Sequence, residues 1–370
     1  MKTTVKRVEL PDNRRILMIS DIHGHAEGLH SVLDQAGFCK EDILIIVGDL
    51  VEKGPESLKA LRMIMQLSKD HTVHTLMGNV DMWRIEGLLS DDPDMQERLL
   101  QYSIKAQRWW NTSFLGELCE EAGIPLTADM DTASVFPRLR EHFAEELAFL
   151  TALPTILETQ RMIFVHGGIP HARLEAFTGQ EAHPLLKYDH FYEEGLTFDK
   201  YVVVGHWPVV LYRTAYPDAN PIIDRKRRII CLDGGCGLKD DGQLNLLAIP
   251  SWQSEDFSLY TWTDLPVITA LESQEERASS CYIRWGDHEV TLLEQTGDVA
   301  RVMHHQREIC VPSSFLYEQN GKTLCEDITD YRLGVEKGDA LYLVLRTPHG
   351  CYVKKDGVTG WYMGSYTESV

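Results

Sequence analysis

Six residues of metal-binding type each follow a short apolar run, and this series constrains the fold more than any other feature. Ile16-Leu17-Met18-Ile19 precedes Asp21 and His23, and Ile43 to Val47 precedes Asp49. Val73 to Met77 precedes Asn79, Met162 to Val165 precedes His166, and Val202 to Val204 precedes His206. A β-branched-rich run ending in Gly, Asp or His reads as a buried strand entering a loop. Side chains delivered at the carboxyl ends of several strands converge on one crevice of an open α/β sheet. Three carboxylate or amide oxygens and three imidazoles suit two divalent ions about 3.5–4 Å apart, the spacing used for in-line attack on phosphorus. Asp21 and His23, two residues apart, are expected to point the same way from an extended segment.

Between these runs the chain is helical. Leu29, Val32, Leu33 and Ala36 lie at helical spacing and Gly37 closes the stretch 27–37; Leu58, Leu61, Ile64 and Met65 share a face in 56–67. Residues 14 to about 80 therefore predict a βαβαβ start with a parallel sheet. The alternation breaks at 82–155, an acidic segment with helical patterning over Met95–Trp110, Leu115–Ala122 and Phe136–Ala152. It leaves the sheet at the Asn79 loop, which predicts a helical insertion capping the crevice, with an insertion that merely packs on the sheet as the competing expectation. Strands are expected again at 161–165, 201–204, 228–232 and 244–249, with a polar loop over 214–227.

At 370 residues the chain exceeds one ordinary core. No apolar run approaches the roughly 18 residues of a membrane span, and no apolar signal core follows Met1, so a cytoplasmic protein is expected. The eight cysteines form no Cys-x-x-Cys pair. Cys231, Cys281, Cys310 and Cys351 sit in apolar contexts, which predicts reduced core thiols. A net charge of −20 opposes a nucleic-acid interface but not a phosphorylated substrate, since bound dications reverse the local field.

Past Pro250 helical periodicity disappears. Three short period-2 runs within 289–316 resemble three more within 340–366, the second set carrying Gly360-Trp361-Tyr362. Both sets resemble Src-homology-three-like barrels. Exposed Trp361 and Tyr362 would favour a Pro-rich peptide partner; one β domain packed on the rest is the competing expectation.

The series Asp21-Ile22-His23-Gly24, Gly48-Asp49-Leu50-Val51, Gly78-Asn79-Val80-Asp81, His166-Gly167-Gly168 and Gly205-His206-Trp207 resembles the phosphoprotein phosphatase family of binuclear metallophosphoesterases. Gly54-Pro55-Glu56-Ser57-Leu58, Trp207 and Leu232-Asp233-Gly234-Gly235-Cys236-Gly237 are similar to the bacterial branch that includes symmetrical diadenosine tetraphosphatase. The resemblance covers about residues 14–250. It implies a calcineurin-like α/β sheet sandwich with helices outside and a helical insertion, followed by a small all-β region of two Src-homology-three-like barrels. The expected domains are 1–254, with 82–155 inserted, 255–320 and 321–370. It further implies two divalent ions (Mn, Fe or Zn) held by Asp21, His23, Asp49, Asn79, His166 and His206, with Asp49 bridging. A hydroxide between them would attack phosphorus.

The chain departs from that pattern beside the ligands. The family has a proton-donating His after the Asn ligand, an acidic partner for it, and then a phosphate-gripping Arg. Here these positions hold Val80, Glu52 and Lys53. Valine donates no proton, and lysine offers a point charge in place of a bidentate fork. His25 is the first substitute donor, ahead of His171; a structural role for His25 competes. The leading expectation is a serine/threonine or tyrosine phosphoprotein phosphatase with Asp49, Glu52, Lys53 and His25 in its machinery. A symmetrical dinucleoside polyphosphate hydrolase and a weakly active phospho-ligand sensor are the alternatives. The partners expected are a phosphorylated protein or nucleotide, without nucleic acid or membrane.

Overall fold

In the computed structural model, which describes residues 1–277 and 279–368, two compact units separate. One comprises Met1–Pro208 with Pro221–Thr263; the other comprises Val209–Asn220 with Asp264–Val370.

The first unit is built on two sheets. One has the order β11 (Ser258–Trp262), β10 (Leu244–Ile249), β2 (Ile16–Ile19), β3 (Ile43–Ile46), β4 (Thr72–Thr75). The other has the order β1 (Val5–Arg7), β5 (Ile156–Glu158), β6 (Met162–Val165), β7 (Tyr201–Val204), β9 (Ile229–Cys231), β8 (Ile222–Asp224). β2, β3 and β4 are parallel, as are β6, β7 and β9, so their carboxyl ends face one way within each sheet. The continuous apolar runs are explained by burial on both faces. Alternate residues Ile16, Met18, Ile43 and Ile45 pack with Met162, Phe164, Tyr201, Val203 and Ile230 in one core, the filling of a sandwich. Leu17, Ile19, Leu44 and Ile46 face a second core with the helices.

Those helices are α1 (Ala26–Gln35), α2 (Ser57–Asp70), α3 (Asn79–Leu89), α4 (Pro93–Trp110), α5 (Phe114–Glu121), α6 (Thr132–His142) and α7 (Ala144–Thr151), with a single turn α8 (His183–Leu186) later. The α/β core with outer helices matches the expected class. The details differ in four places. α3 begins at Asn79 itself, so the expected loop residue stands on the first turn of a helix. The stretch expected as one helix over 136–152 is broken at Phe143, whose ψ of 33° is not helical and whose ring is fully buried. β8 lies inside the expected polar loop 214–227, and β1, β5 and β11 were not expected; β1, β5 and β8 are three residues long, and runs that short carry little periodicity.

The inserted helices grip the site through α2. Glu117 on α5 accepts from Ser57 N and Leu58 N, both at 2.8 Å. These are orphan donors of α2's first turn, and an acidic group there also suits the helix dipole. The loop carrying Asp49, Glu52 and Lys53 ends at that anchored turn.

The second unit is antiparallel throughout its named strands. β14 (Thr291–Thr296), β15 (Val299–His304) and β16 (Arg307–Pro312) form one three-stranded meander. β20 (Ala340–Thr347), β21 (Gly350–Lys355) and β22 (Val358–Tyr362) form another, joined by β12 (Val267–Ala270) and β23 (Tyr366–Glu368). β13 (Tyr282–Ile283) pairs with β19 (Ile328–Thr329), and β17 (Leu316–Gln319) with β18 (Lys322–Cys325). The repeated runs do become two meanders. Pairing of β12 with β20, and of β13 with β19, crosses the expected boundary at 320. Tyr362 is not the exposed aromatic expected: it is fully buried, and its hydroxyl donates to Glu272 O at 2.8 Å. Trp361 Nε1 donates to Thr329 O at 2.7 Å. All eight cysteines are free thiols; Cys310 is exposed, because it alternates with buried Ile309 and Val311 on β16. No helix among the described residues is long and apolar enough to cross a membrane.

Candidate metal centre

The six predicted ligand residues converge in the first unit. His23 Nε2 lies 3.5 Å from Asp49 Oδ2 and 3.8 Å from Asp21 Oδ1. His166 Nε2 lies 3.3 Å from Asp49 Oδ1 and 3.0 Å from Asn79 Oδ1. His206 Nδ1 lies 2.8 Å from the same Asn79 oxygen. The two oxygens of Asp49 are thus divided: one faces the Asp21–His23 side, the other the Asn79–His166–His206 side.

Asp21 and His23 do not reach this point along an extended segment. Both have positive φ, +53° and +47°, as do Asp49 at +54° and His206 at +68°. Asp and His tolerate this left-handed region better than most residues. Glu52 at +74° and Lys53 at +70° tolerate it less well, and backbone strain of this kind gathers where geometry is fixed for function. Tight turns turn each side chain inward sooner than strand alternation would.

Each imidazole is held from outside by one nitrogen, with the other turned toward the centre. His23 Nδ1 donates to Val51 O at 3.3 Å and His166 Nδ1 to Val47 O at 2.7 Å. Both rings therefore present Nε2 inward, and Lys53 Nζ donates to His23 Nε2 at 2.8 Å. His206 is turned the other way: Nε2 donates to Asp189 Oδ1 at 2.7 Å, leaving Nδ1 inward. A carboxylate or carbonyl on the outer nitrogen fixes tautomer and orientation in metal-ligating histidines.

Burial lowers His23 well below its usual value, with Lys53 adding to it, so this ring is neutral near pH 7. Burial likewise lowers His206. Burial opposes charge on His166 too, but the carboxylates of Asp49 and Asp21 outweigh it and push that ring up to about 10. Asp21 is pushed up to about 6, by burial first. Positive charge is what this acidic cluster demands at its middle.

The residues fit divalent cations. The donor set mixes imidazole nitrogen with carboxylate and amide oxygen, which suits Mn, Fe or Zn. The cradle leaves no slack around the acids. A Cβ on Gly78 would sit 2.1 Å from Asp49 Oδ1, and one on Gly205 would sit 2.2 Å from Asp21 Oδ2.

Among the other expected residues, Lys53 reaches the centre. His25 stands at the N-cap of α1, donates Nδ1 to Ile22 O at 3.0 Å, and is wedged against Gly54, Gly237 and the Trp262 ring. His171 stacks on Phe177. Glu52 is fully buried, and Arg84 Nε donates to its Oε2 at 2.5 Å; its Oε1 has no hydrogen-bond partner among the described residues.

Three residues escaped the sequence reading. Arg84 carried a signal, since it lies one helical turn past Val80. Asp81 did too, as the acidic third residue of α3. Its Oδ1 accepts from Leu50 N at 2.9 Å and its Oδ2 from Gly78 N at 3.1 Å, tying the Asp49 loop to the Asn79 turn. Burial, then Asp49, pushes its carboxyl up to about 7. Asp189 carried no signal, because it lies in an irregular loop far from any motif.

Strand-end acids and imidazoles on a two-sheet sandwich define a metal-dependent phosphohydrolase class. Residues 14–224 match the family described as calcineurin-like phosphoesterase, more than half of the chain, and the chain belongs to that family of metallophosphoesterase enzymes. Over 94 residues it is 34% identical to serine/threonine-protein phosphatase 2 of Escherichia coli (strain K12), a match covering 25% of this chain and 41% of that one. Over 289 residues it is 27% identical to the symmetrical bis(5'-nucleosyl)-tetraphosphatase of Photorhabdus laumondii, covering 68% of this chain and 98% of that one. The Erwinia tasmaniensis enzyme of the same name is 44% identical over 66 residues, 18% of this chain and 23% of that one. The chain thus spans less than half the length of the E. coli and Erwinia relatives in those matches. A metallophosphoesterase structure from Sphaerobacter thermophilus aligns at 19% identity with a TM-score of 0.36, covering 68% of this chain and 88% of that one.

Proposed function

We propose that this chain hydrolyses phosphorylated substrates whose leaving group departs without a proton, with a dinucleoside polyphosphate as the preferred type. Asp21, His23, Asp49, Asn79, His166 and His206 would hold two divalent ions, Mn, Fe or Zn, which supply activated water and charge neutralisation at phosphorus. Lys53 adds a point charge for the phosphoryl oxygens.

The observation that carries the choice of substrate is the Glu52–Arg84 pair beside Val80. An aliphatic side chain stands where the family places its proton donor, and the acid that would partner such a donor is neutralised by Arg84 instead. General acid catalysis is worth typically 10²–10⁴-fold. A serine or threonine alkoxide needs it; a nucleotide phosphate or a phenolate needs it far less. The match to the Photorhabdus tetraphosphatase, 27% identical and spanning 98% of that enzyme but 68% of this chain, supports the same choice.

The second reading is a phosphoprotein phosphatase, supported by the 94-residue match to the E. coli enzyme. A role for the C-terminal unit as a Src-homology-three-like peptide binder is supported only by its two meanders, since Tyr362 is buried and Trp361 Nε1 is engaged. Turnover of diadenosine tetraphosphate, a phosphoserine peptide and an aryl phosphate by purified protein with Mn²⁺ separates the readings. Cleavage of the first and third with little of the second is expected. Preference for the phosphoserine peptide would overturn the anhydride reading, and loss of all turnover in Asp49→Asn is expected in either case.

A further inference from the structure

A second cluster of ligand-type side chains lies in the C-terminal unit, remote in sequence from the residues described above. Asp287, His304 and His305 each offer a donor atom, all within 4.8 Å of one another. His304 ends β15, His305 opens the turn to β16, and Asp287 closes a turn begun at Arg284. His305 and Gln306 both have positive φ, +45° and +63°, the two-residue geometry usually given to Asn-Gly.

The decisive side chain is His304. It is only 3% exposed. Its Nδ1 donates to Glu289 O at 3.1 Å, so the tautomer is fixed and Nε2 carries the lone pair. That Nε2 is buried with no hydrogen-bond partner, and leaving such a group unmet costs about 1–3 kcal/mol. It points to Asp287, whose Oδ1 lies 3.8 Å away and also 2.8 Å from His305 Nε2. Arg284 Nη1 holds the other carboxylate oxygen at 2.9 Å, so Oδ1 is the one turned to the imidazoles. Tetrahedral donors around zinc at bonds of about 2.0 Å stand roughly 3.3 Å apart. The two measured separations bracket that edge.

We propose that Asp287, His304 and His305 form a second metal site, for a divalent transition ion of the zinc class. Two imidazoles and one carboxylate leave a fourth position for water. A cavity of about 830 Å³, lined by Gly286, His288, Met303 and Gln306 among others, opens beside the cluster and admits the ion. The bound ion ties the β15–β16 turn to the 284–287 turn, so it stabilises this unit independently of phosphoester chemistry.

The test counts zinc on the full chain after metal removal, by titration against a chromophoric chelator. The side chain of His305 is 65% exposed, so His305→Ala is expected to fold. It should bind one zinc equivalent fewer than the parent, or bind that equivalent at least about tenfold more weakly, while aryl phosphate turnover is unchanged. Asp287→Asn should lose the same equivalent. If parent and His305→Ala bind the same number of ions with affinities closer than tenfold, the site is overturned.

Discussion

Arg84 Nε donates to Glu52 Oε2 at 2.5 Å, with both side chains buried. The guanidinium also lies 4.0 Å from the centre of the Tyr102 ring and 4.6 Å from that of Trp83. The inserted helix α4 therefore reaches the edge of the metal centre through Tyr102. An arginine neutralises the acid that, in the related phosphatases, the resemblance pairs with a histidine.

Removing one member of a buried ion pair strands the other, at about 3–5 kcal/mol. Arg84→Met should lose that much in urea denaturation. Arg84→Met with Glu52→Gln should recover most of it, because no charge is then left unpaired. A single-variant loss no larger than the ~1 kcal/mol of an exposed pair would show that solvent, not Arg84, meets Glu52.

Val80→His restores an imidazole to the expected donor position. If the missing proton donor limits the rate, turnover of an alkyl phosphate should rise about tenfold, below the ~10²–10⁴ ceiling because Arg84 still occupies Glu52. An aryl phosphate should change less than about twofold, since its leaving group needs little protonation. Equal gains on both substrates would remove this account of the specificity.

All six converging residues could be read from the sequence, because strand-end placement after a buried apolar run is a one-dimensional signal. Their backbone could not. The left-handed conformations of Asp21, His23, Asp49 and His206 lie in strand-end loops that are tied to their neighbours, as Asp21 N is to Gly48 O, His23 N to Asp49 O and Gly205 N to His166 O, and local sequence does not encode those ties. The same holds for Asp189, whose only tie to the centre is spatial. In the fold, long periodic elements such as α2 and α4 were visible, while three-residue strands such as β5 and β8 were not. The pairing of β12 with β20 joins residues some 70 positions apart, and no pattern in either strand announces its partner.

Asp189 fixes His206 from outside the centre. Its carboxyl is held below the usual range by the His206 hydrogen bond. Asp189→Ala frees the ring to rotate or change tautomer. The Mn²⁺ concentration needed for half-maximal activity should rise about 10–100-fold, while turnover at saturating Mn²⁺ stays near the parent value. A fall in saturated turnover with no change in metal requirement would place Asp189 on the substrate instead.

Gly205 tests how closely the backbone must approach the acids. Its φ is not left-handed, so alanine can adopt the backbone there without strain. The added Cβ, however, would meet Asp21 Oδ2 at 2.2 Å and Ser20 Oγ at 2.7 Å. Asp21 sits in a left-handed turn and cannot retreat without moving His23. Gly205→Ala should therefore displace the carboxylate by about 1 Å, enough to cost roughly 10²-fold in turnover, with circular dichroism showing an intact fold. Gly334 is the control: its nearest neighbour to an added Cβ is 3.5 Å away, and Gly334→Ala should leave turnover unchanged. Parent-like activity in Gly205→Ala would mean that Asp21 has room to move, and that the tight cradle around it is not required for hydrolysis.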